Sequence, residues 1–265
     1  MEEYLNKNIK EVLSRFPGVA DILNGYNIGC VPCNVGTCRL KDIVEIHNLS
    51  PEDEQELFTL VAGVIYPGKE VVIPKIARKT APAPGLFSFS PPIKKLVDEH
   101  NLIKRLLAAI PDVIANLNLE TAEGRQVIVD AVDFIRSYAD KYHHAKEEDI
   151  LFKYFDENLD VLKAMHLDHE SGRAHVRAIL AGVTEHDKGA VAEHLLAYRD
   201  LLTEHIGKED GILYPWMERN LSMKQIGELF TRFNEKENEL GGLTGKYEAV
   251  IAGLEKEISL KGVAK

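Results

Sequence analysis

Long hydrophobic runs are missing from this 265-residue chain, although 45% of its residues are hydrophobic. No segment approaches the ~20 apolar residues that a membrane-spanning helix needs, so the sequence predicts no membrane span. The first residues, MEEYLNKNIKEVLSRF, form a charged amphipathic pattern without the apolar stretch and small-residue cleavage site of a secretion signal. We therefore expect a soluble, cytoplasmic protein.

Basic residues are also in short supply. The chain has 32 lysines and arginines against 42 aspartates and glutamates, which gives a formal net charge of -10. Binding to DNA or RNA relies on a basic surface that displaces counterions from phosphates. The composition therefore disfavours a nucleic-acid partner.

Cysteine is scarce as well, with three residues in the chain. An odd number in a chain without a secretion signal disfavours a disulfide framework. Cys30 and Cys33 form a Cys-x2-Cys pair after Gly29, at a predicted helix start that can stabilise a thiolate. We interpret them as a redox pair that forms a reversible disulfide, with Cys38 outside it. The alternatives are a metal site that adds Cys38 and His47 to the pair, and a purely structural role.

Proline content and apolar periodicity divide the chain into four parts. Residues 1–65 are predicted to form a small helical module that contains the cysteines, and the proline-rich residues 66–90 a linker. Within residues 91–218, apolar residues recur at helical spacing in four long stretches, which predicts four antiparallel helices. Residues 219–265 predict further helices for packing or self-association, so a homodimer is one expectation. The predicted fold class is all-α.

Each of the four predicted helices carries a histidine within its apolar stripe, and two add a glutamate one turn later. A rotation of ~100° per residue places all six side chains on core-facing surfaces. They are His100, His143, Glu147, His169, His205 and Glu209. Burying two carboxylates without partners costs several kcal/mol, and Arg173 is the chief inward-facing cation. A pair of metal ions would offset both carboxylates, with Glu147 and Glu209 able to bridge them.

A second His-x3-Glu pair overlaps the first on the same helix. His144 and Glu148 repeat the spacing of His143 and Glu147, but helical rotation turns them away from the apolar face. We therefore expect His144 and Glu148 to face solvent. Under this register, Glu148→Ala is predicted to be nearly silent and Glu147→Ala to lower the metal content.

The sequence pattern gives less support to the remaining histidines as metal ligands. A single histidine on an apolar face is more often a hydrogen-bonded core residue than a ligand, whereas four on four helices favour a metal site. His166 lies at the edge of its inward face and is either an additional ligand or a supporting or surface residue. His194 faces inward but lies ~16 Å along the helix from His205, too far for the same cluster. No such pattern supports His47, His175 and His186.

The segments DEHNLIKRLL, YHHAKEEDILF, DHESGR and EHIGKEDGILYP resemble those of hemerythrin-like proteins, the HHE cation-binding family. The resemblance implies an up-down four-helix bundle with an oxo- or hydroxo-bridged pair of iron ions. The ligands that it implies are His100, His143, Glu147, His169, His205 and Glu209. The founding oxygen carriers of this family use five histidines, and here the sequence offers only His166 as a fifth. A site with fewer histidines would have more open positions, which favours reactivity over simple carriage.

The segment FPGVADILNGYNIGCVPC resembles the cysteine module of repair-of-iron-centres proteins, which are linked to the recovery of damaged iron–sulfur clusters. The two resemblances together imply a di-iron protein that binds or reacts with oxygen or nitric oxide, in cluster repair or in the nitrosative and oxidative stress response. Iron–sulfur proteins or a reductase are then the expected protein partners. The alternative is a non-catalytic oxygen or nitric oxide sensor, or a store of iron or oxygen.

Overall fold

The computed structural model describes residues 1–26, 28, 39–47, 49–69, 71–74 and 89–263. Its elements are helices, with no strand in these ranges, so the predicted all-α class is confirmed. Cys30, Cys33 and Cys38 lie outside the described residues, and their predicted redox role stays a prediction. No helix among the described residues combines the length and apolarity that crossing a membrane would require.

The chain divides into two compact units. The first comprises Met1–Ser88, Asn158–Ala164 and Gly211–Asn220, and the second comprises Phe89–Glu157, Met165–Asp210 and Leu221–Lys265. The predicted domain boundaries stay predictions.

The helices before residue 89 are short, apart from the fifth. They are α1 (Glu2–Leu5), α2 (Ile9–Arg15), α3 (Val19–Gly25), α4 (Leu40–Ile46) and α5 (Pro51–Ile65). Helix α5 begins where Ser50 accepts a hydrogen bond from the Asp53 amide at 3.0 Å, with Pro51 in the first turn. Leu23, Phe58 and other apolar side chains of these helices form a separate buried core.

The later helices are long and include four π-helical or 3-10 segments. They are α6 (Pro91–Ala115), α7 (Ala122–Phe134), π-helical segments Ile135–His144 and Glu147–Leu151, a 3-10 turn Phe152–Tyr154, α8 (Asp160–Glu185), α9 (Lys188–Lys208), a third π-helical segment Glu209–Leu213, α10 (Tyr214–Asn220), α11 (Met223–Leu240) and α12 (Leu243–Val263). The four helical stretches predicted within residues 91–218 correspond to α6, α7 with its π-helical continuation, α8, and α9 with its own continuation.

Apolar faces of these helices meet in one core within the second unit. Ile103, Ile128, Ile179 and Leu202 are at most 2% exposed. Tyr247 of α12 is buried in the same core, so the C-terminal helices pack on the bundle. Burial of such side chains contributes about 1.5–3 kcal/mol each, which holds the four helices together.

Short polar and glycine-containing turns set the helix ends. Thr121 caps α7 by accepting a hydrogen bond from the Gly124 amide at 3.1 Å. A Cβ atom at Gly124 would lie 1.8 Å from the Asn118 carbonyl oxygen, so only glycine fits this turn. Helix α11 starts with a capping box formed by Ser222 and Gln225.

Candidate metal centre

The six predicted side chains meet in one buried region of the second unit. His100 comes from α6, His143 and Glu147 from the π-helical part that follows α7, and His169 from α8. The end of α9 and the π-helical segment after it supply the others. Each of the six is at most 1% exposed, and the full set is His100, His143, Glu147, His169, His205 and Glu209. The structure brings the set together, while the role of its members as ligands stays a prediction.

The buried donor atoms form two groups, and a third possible set, Glu148, His166 and His169, is only partly buried. In each group, the candidate ligand atoms all lie within 4.8 Å of one another. The first group comprises His100, His143 and Glu209, and the second comprises His144, Glu147, His169 and His205. In the second group the Nε2 atoms of His169 and His205 are 3.0 Å apart. Two separate ions, one to each group, therefore fit the arrangement of donors.

The two glutamates lie between the groups. Glu209 places Oε2 3.3 Å from Nε2 of His100 and Oε1 3.2 Å from Nε2 of His205. Glu147 places Oε2 3.8 Å from Nε2 of His143 and 3.5 Å from Nε2 of His169. Each carboxylate thus approaches imidazoles of both groups, which is the geometry that a bridging ligand needs.

Each imidazole turns Nδ1 toward an outer carboxylate. The Nδ1–oxygen pairs are His100–Asp210 at 2.7 Å, His143–Glu99 at 2.9 Å, His169–Glu148 at 2.6 Å, His205–Asp168 at 3.3 Å and, at a longer 3.6 Å, His144–Asp140. A carboxylate at Nδ1 favours the tautomer that carries its proton there, which leaves the Nε2 lone pair for a metal. The outer carboxylates therefore orient five imidazoles toward one centre.

Burial keeps three of the imidazoles neutral. Removal from water lowers the pKa of His144, and lowers the pKa values of His143 and His169 well below the usual histidine value. Neighbouring imidazoles lower all three further. A neutral imidazole is the form that binds a metal ion.

Carboxylates reverse this effect at the other two histidines. Burial lowers the pKa of His205, but Glu209 and Asp168 outweigh it and raise the value to about 9. Burial also opposes the charge of His100, whose pKa is nevertheless raised by Asp210 and Glu209. Burial raises the pKa of Glu209, yet the attraction of His205 and His100 brings it well below the usual glutamate value. The Glu209 carboxylate is therefore ionised in the core, with His205 and His100 as its neighbouring positive charges.

Some buried nitrogen and oxygen atoms in this region have no hydrogen-bond partner among the described residues. Nε2 of His143 and both carboxylate oxygens of Glu209 are buried and make no hydrogen bond of ordinary geometry with the described residues. A buried polar atom in this state costs about 1–3 kcal/mol, and a charged one costs more. Nitrogen and carboxylate donors aimed at the same space suit an iron ion, which would satisfy them. The residues present therefore fit a bound metal.

The expectation that His144 faces solvent is wrong. His144 is 5% exposed and stacks on His169 with 3.8 Å between ring centroids. It lies in the π-helical segment Ile135–His144, where i→i+5 hydrogen bonds widen the turn and rotate each residue less than in an α-helix. His143 and His144 can therefore both face the core. A regular α-helical rotation of 100° per residue could not predict that two adjacent histidines both face the core. The His143–His144 pair itself was the only feature of the sequence that could have suggested it.

Glu148 also departs from its predicted position. Its side chain is only 21% exposed, and Oε1 lies 2.6 Å from Nδ1 of His169 and 2.9 Å from Nη2 of Arg173. Glu148 thus supports an imidazole of the cluster from outside. His166, which the sequence offers either as an additional ligand or as a supporting or surface residue, is 39% exposed, and its Nδ1 lies 4.0 Å from Oε1 of Glu148. Its role stays a prediction.

A buried lysine beside the centre was missed in the sequence. Lys146 is fully buried, and Nζ donates a hydrogen bond to Oε1 of Glu99. The other oxygen of Glu99 is the one that meets His143. Nζ also lies 3.5 Å from Glu237 of α11 and 3.8 Å from the ring centroid of Tyr142. Lys146 comes one residue before Glu147, and the helical spacing of apolar residues did not predict that a lysine at this position would be buried.

The other histidines lie apart from the two groups. His175 and His194 face each other with 3.1 Å between their Nδ1 atoms, and both are half-buried. His186 ends α8 with a positive φ of 57°. His47 lies in the first unit, where burial lowers its pKa to about 4.

Comparison with known proteins gives one family and a few relatives. Residues 91–258 match the family model described as Hemerythrin HHE cation binding domain. "Uncharacterized protein Mb2018" of Mycobacterium bovis and "Uncharacterized protein Rv1995" of Mycobacterium tuberculosis are each 22% identical over 176 residues, which is 62% of this chain and 69% of theirs. No solved structure matches the chain. The matched segment contains both groups of donors.

Proposed function

The chain belongs to the hemerythrin HHE cation-binding family, and from this we propose that its bundle holds two iron ions that bind oxygen or nitric oxide. The proposed ligands are the six side chains predicted from the sequence together with His144. The full set is His100, His143, His144, Glu147, His169, His205 and Glu209.

The observation that carries the proposal is the position of Glu209 between the two groups. Its two oxygens approach His100 on one side and His205 on the other, at 3.3 and 3.2 Å. A single cation would use only one of these approaches, whereas two ions would use both. Two ions would also satisfy the buried atoms of Glu209 and His143 that lack a hydrogen-bond partner among the described residues.

The protein's own residues would orient the ligand side chains and restrict access of water to the centre. The imidazoles are held by the carboxylates at Nδ1, so their Nε2 atoms keep a fixed direction. Burial of the whole set in an apolar bundle restricts water at the centre. The bound iron would supply redox chemistry and a position for a diatomic ligand.

His144 is the fifth histidine of the proposed set, so the centre has no missing histidine that would leave extra positions open for reaction. Five imidazoles and two carboxylates would hold the two ions and would leave little room for other ligands, which favours binding of one small ligand over turnover. We therefore propose gas binding, in sensing or storage, ahead of catalysis. The resemblance of the cysteine segment to iron-centre repair proteins supports a link to cluster repair or the stress response, with Cys30 and Cys33 as the redox pair.

Metal analysis with an optical spectrum tests the di-iron proposal. Protein reconstituted with ferrous iron and exposed to air is expected to hold about two irons per chain and to show charge-transfer absorption in the near ultraviolet. His186→Ala, a change at the end of α8 away from the centre, serves as the control and should leave both unchanged. One iron or none after reconstitution would refute the proposal.

Turnover is tested separately. The di-ferrous protein is mixed with nitric oxide, and nitrous oxide is measured by gas chromatography under excess reductant. Gas binding without catalysis predicts an optical change and less than one nitrous oxide per centre. Repeated turnover would instead identify a nitric oxide-reducing enzyme.

A further inference from the structure

A cavity of about 360 Å³ lies beside the metal centre within the second unit. His144 and His169 form part of its lining, and Ile135, Val176, Leu180 and Tyr198 supply apolar wall. A diatomic ligand needs far less space, since a water molecule occupies about 30 Å³ in the liquid. The cavity has the size of a small organic ligand site.

The cavity lies along the π-helical segment Ile135–His144 and α8, whose side chains contact each other at intervals of four residues. The two elements run antiparallel. At one end the ring of His144 stacks on that of His169, with 3.8 Å between the centroids. Four residues farther along each element, Nη2 of Arg173 lies 2.8 Å from Oδ1 of Asp140. Another four residues along each element are Arg136 and Arg177, which the same register would place opposite each other. Both arginines line the cavity and are exposed, so they mark its outer end.

The positive charges of the two outer arginines are not balanced by an ion pair with any described residue. Arg173 has three carboxylates around it, from Asp140, Glu148 and Glu170. Arg136 and Arg177 form no ion pair with any described residue, in a chain whose net charge is -10. Two guanidinium groups of like charge across one opening repel each other, and an oxyanion between them would remove that repulsion through charge-assisted hydrogen bonds.

We propose that this cavity binds a medium-chain monocarboxylate, with its carboxylate between Arg136 and Arg177 and its apolar chain against the inner wall. Arg177 and His169 are eight residues apart on α8, or ~12 Å along its axis, and an extended acyl chain on the order of eight carbons covers roughly 8–9 Å of this distance. Val176 and Leu180 would contact the chain. This site is additional to the gas-binding centre and needs no metal.

Calorimetric titration with octanoate tests the proposal on the full-length protein, both iron-free and iron-loaded. Binding is expected in both forms. Octanol lacks the charge and inorganic phosphate lacks the chain, so each should bind at least tenfold more weakly. The double variant Arg136→Gln/Arg177→Gln should weaken octanoate binding at least tenfold, because two charge-assisted hydrogen bonds are lost. The matched control is Arg199→Gln, whose arginine pairs with Asp200 outside the cavity and whose loss should leave binding unchanged.

Several outcomes would overturn the proposal. These are no heat of binding at millimolar octanoate, equal binding of phosphate, equal binding of octanol, or unchanged binding in the double variant. Because the iron-free protein is titrated, a failure of the di-iron proposal leaves this test intact. Iron content and thermal unfolding of the double variant should match the parent, which excludes a general loss of structure.

Discussion

At the scale of single residues, the centre depends on which of several neighbouring donors face inward. Adjacent histidines occupy different groups, with His143 beside His100 and His144 stacked on His169. Adjacent glutamates also differ, because Glu147 lies between the groups and Glu148 supports one imidazole from outside. Neighbours along the chain therefore have distinct roles, which can be separated by paired substitutions.

The first prediction separates His144 from His166. His144→Ala removes one of the three imidazoles of the second group, so iron content should fall from about two toward about one per chain. His166→Ala changes a half-exposed side chain and should retain two. Iron and protein concentrations are measured on the same reconstituted samples. Loss of iron in His166→Ala with retention in His144→Ala would contradict the proposed ligand set.

The second prediction concerns the adjacent glutamates. Glu147→Ala removes a carboxylate that lies between the groups, so at least one iron should be lost. Glu148→Ala removes the acceptor at Nδ1 of His169, and loss of such a partner typically weakens metal binding 10–100-fold. Chelator competition should therefore show weaker binding in Glu148→Ala with the full stoichiometry at saturation. Parental affinity in Glu148→Ala would mean that this contact does not tune the site.

At the scale of elements, the π-helical segments bring extra side chains to the core. Residues Ile135–His144 carry Tyr138, Tyr142 and two histidines inward. The same part of the chain buries Lys146, which connects Glu99 of α6 with Glu237 of α11. The pKa of Glu99 is raised to about 7 by burial, against the opposing effect of Lys146. One lysine thus links three elements around a carboxylate that also contacts His143.

The third prediction is that Lys146→Met destabilises the protein. Methionine keeps most of the side-chain volume but leaves Glu99 without its cation, and breaking a buried ion pair costs about 3–5 kcal/mol. We expect the free energy of unfolding in urea to fall by about 3 kcal/mol. Lys141→Met, at an exposed position of the same segment, should change it by less than about 0.5 kcal/mol. Equal effects of the two substitutions would show that the buried ion pair contributes no net stability.

At the scale of the whole molecule, the proposed binding of metal should be coupled to folding of the bundle. The four bundle helices each contribute to the centre, and the donor atoms are buried in the same unit as the apolar core. An ion that binds only the folded chain stabilises it by mass action. Metal binding should therefore satisfy the buried donor atoms and raise the stability of the folded bundle.

The fourth prediction is that iron removal lowers the melting temperature. If the two ions contribute at least about 3 kcal/mol, the midpoint should fall by roughly 6–12 °C in a domain of this size. Circular dichroism is recorded on iron-loaded, chelated and reloaded protein, with reloading as the control for irreversible damage. Identical midpoints in all three samples would mean that iron does not bind preferentially to the folded bundle.

The sequence by itself determined the helical class, the four bundle helices and the inward direction of six donors. Apolar spacing fixes which face of a regular helix is buried, and a histidine within that face must follow it. The sequence could not determine the positions of His144, Glu148 and Lys146. Regular α-helical rotation assigns one direction to each residue, whereas π-helical hydrogen bonding rotates His144 and Glu148 differently. Lys146 lies between these two π-helical segments, and its burial depends on the neighbouring helices that pack around it. The presence of Arg136 and Arg177 in the lining of one cavity likewise depends on how two helices pack, which only the tertiary structure decides.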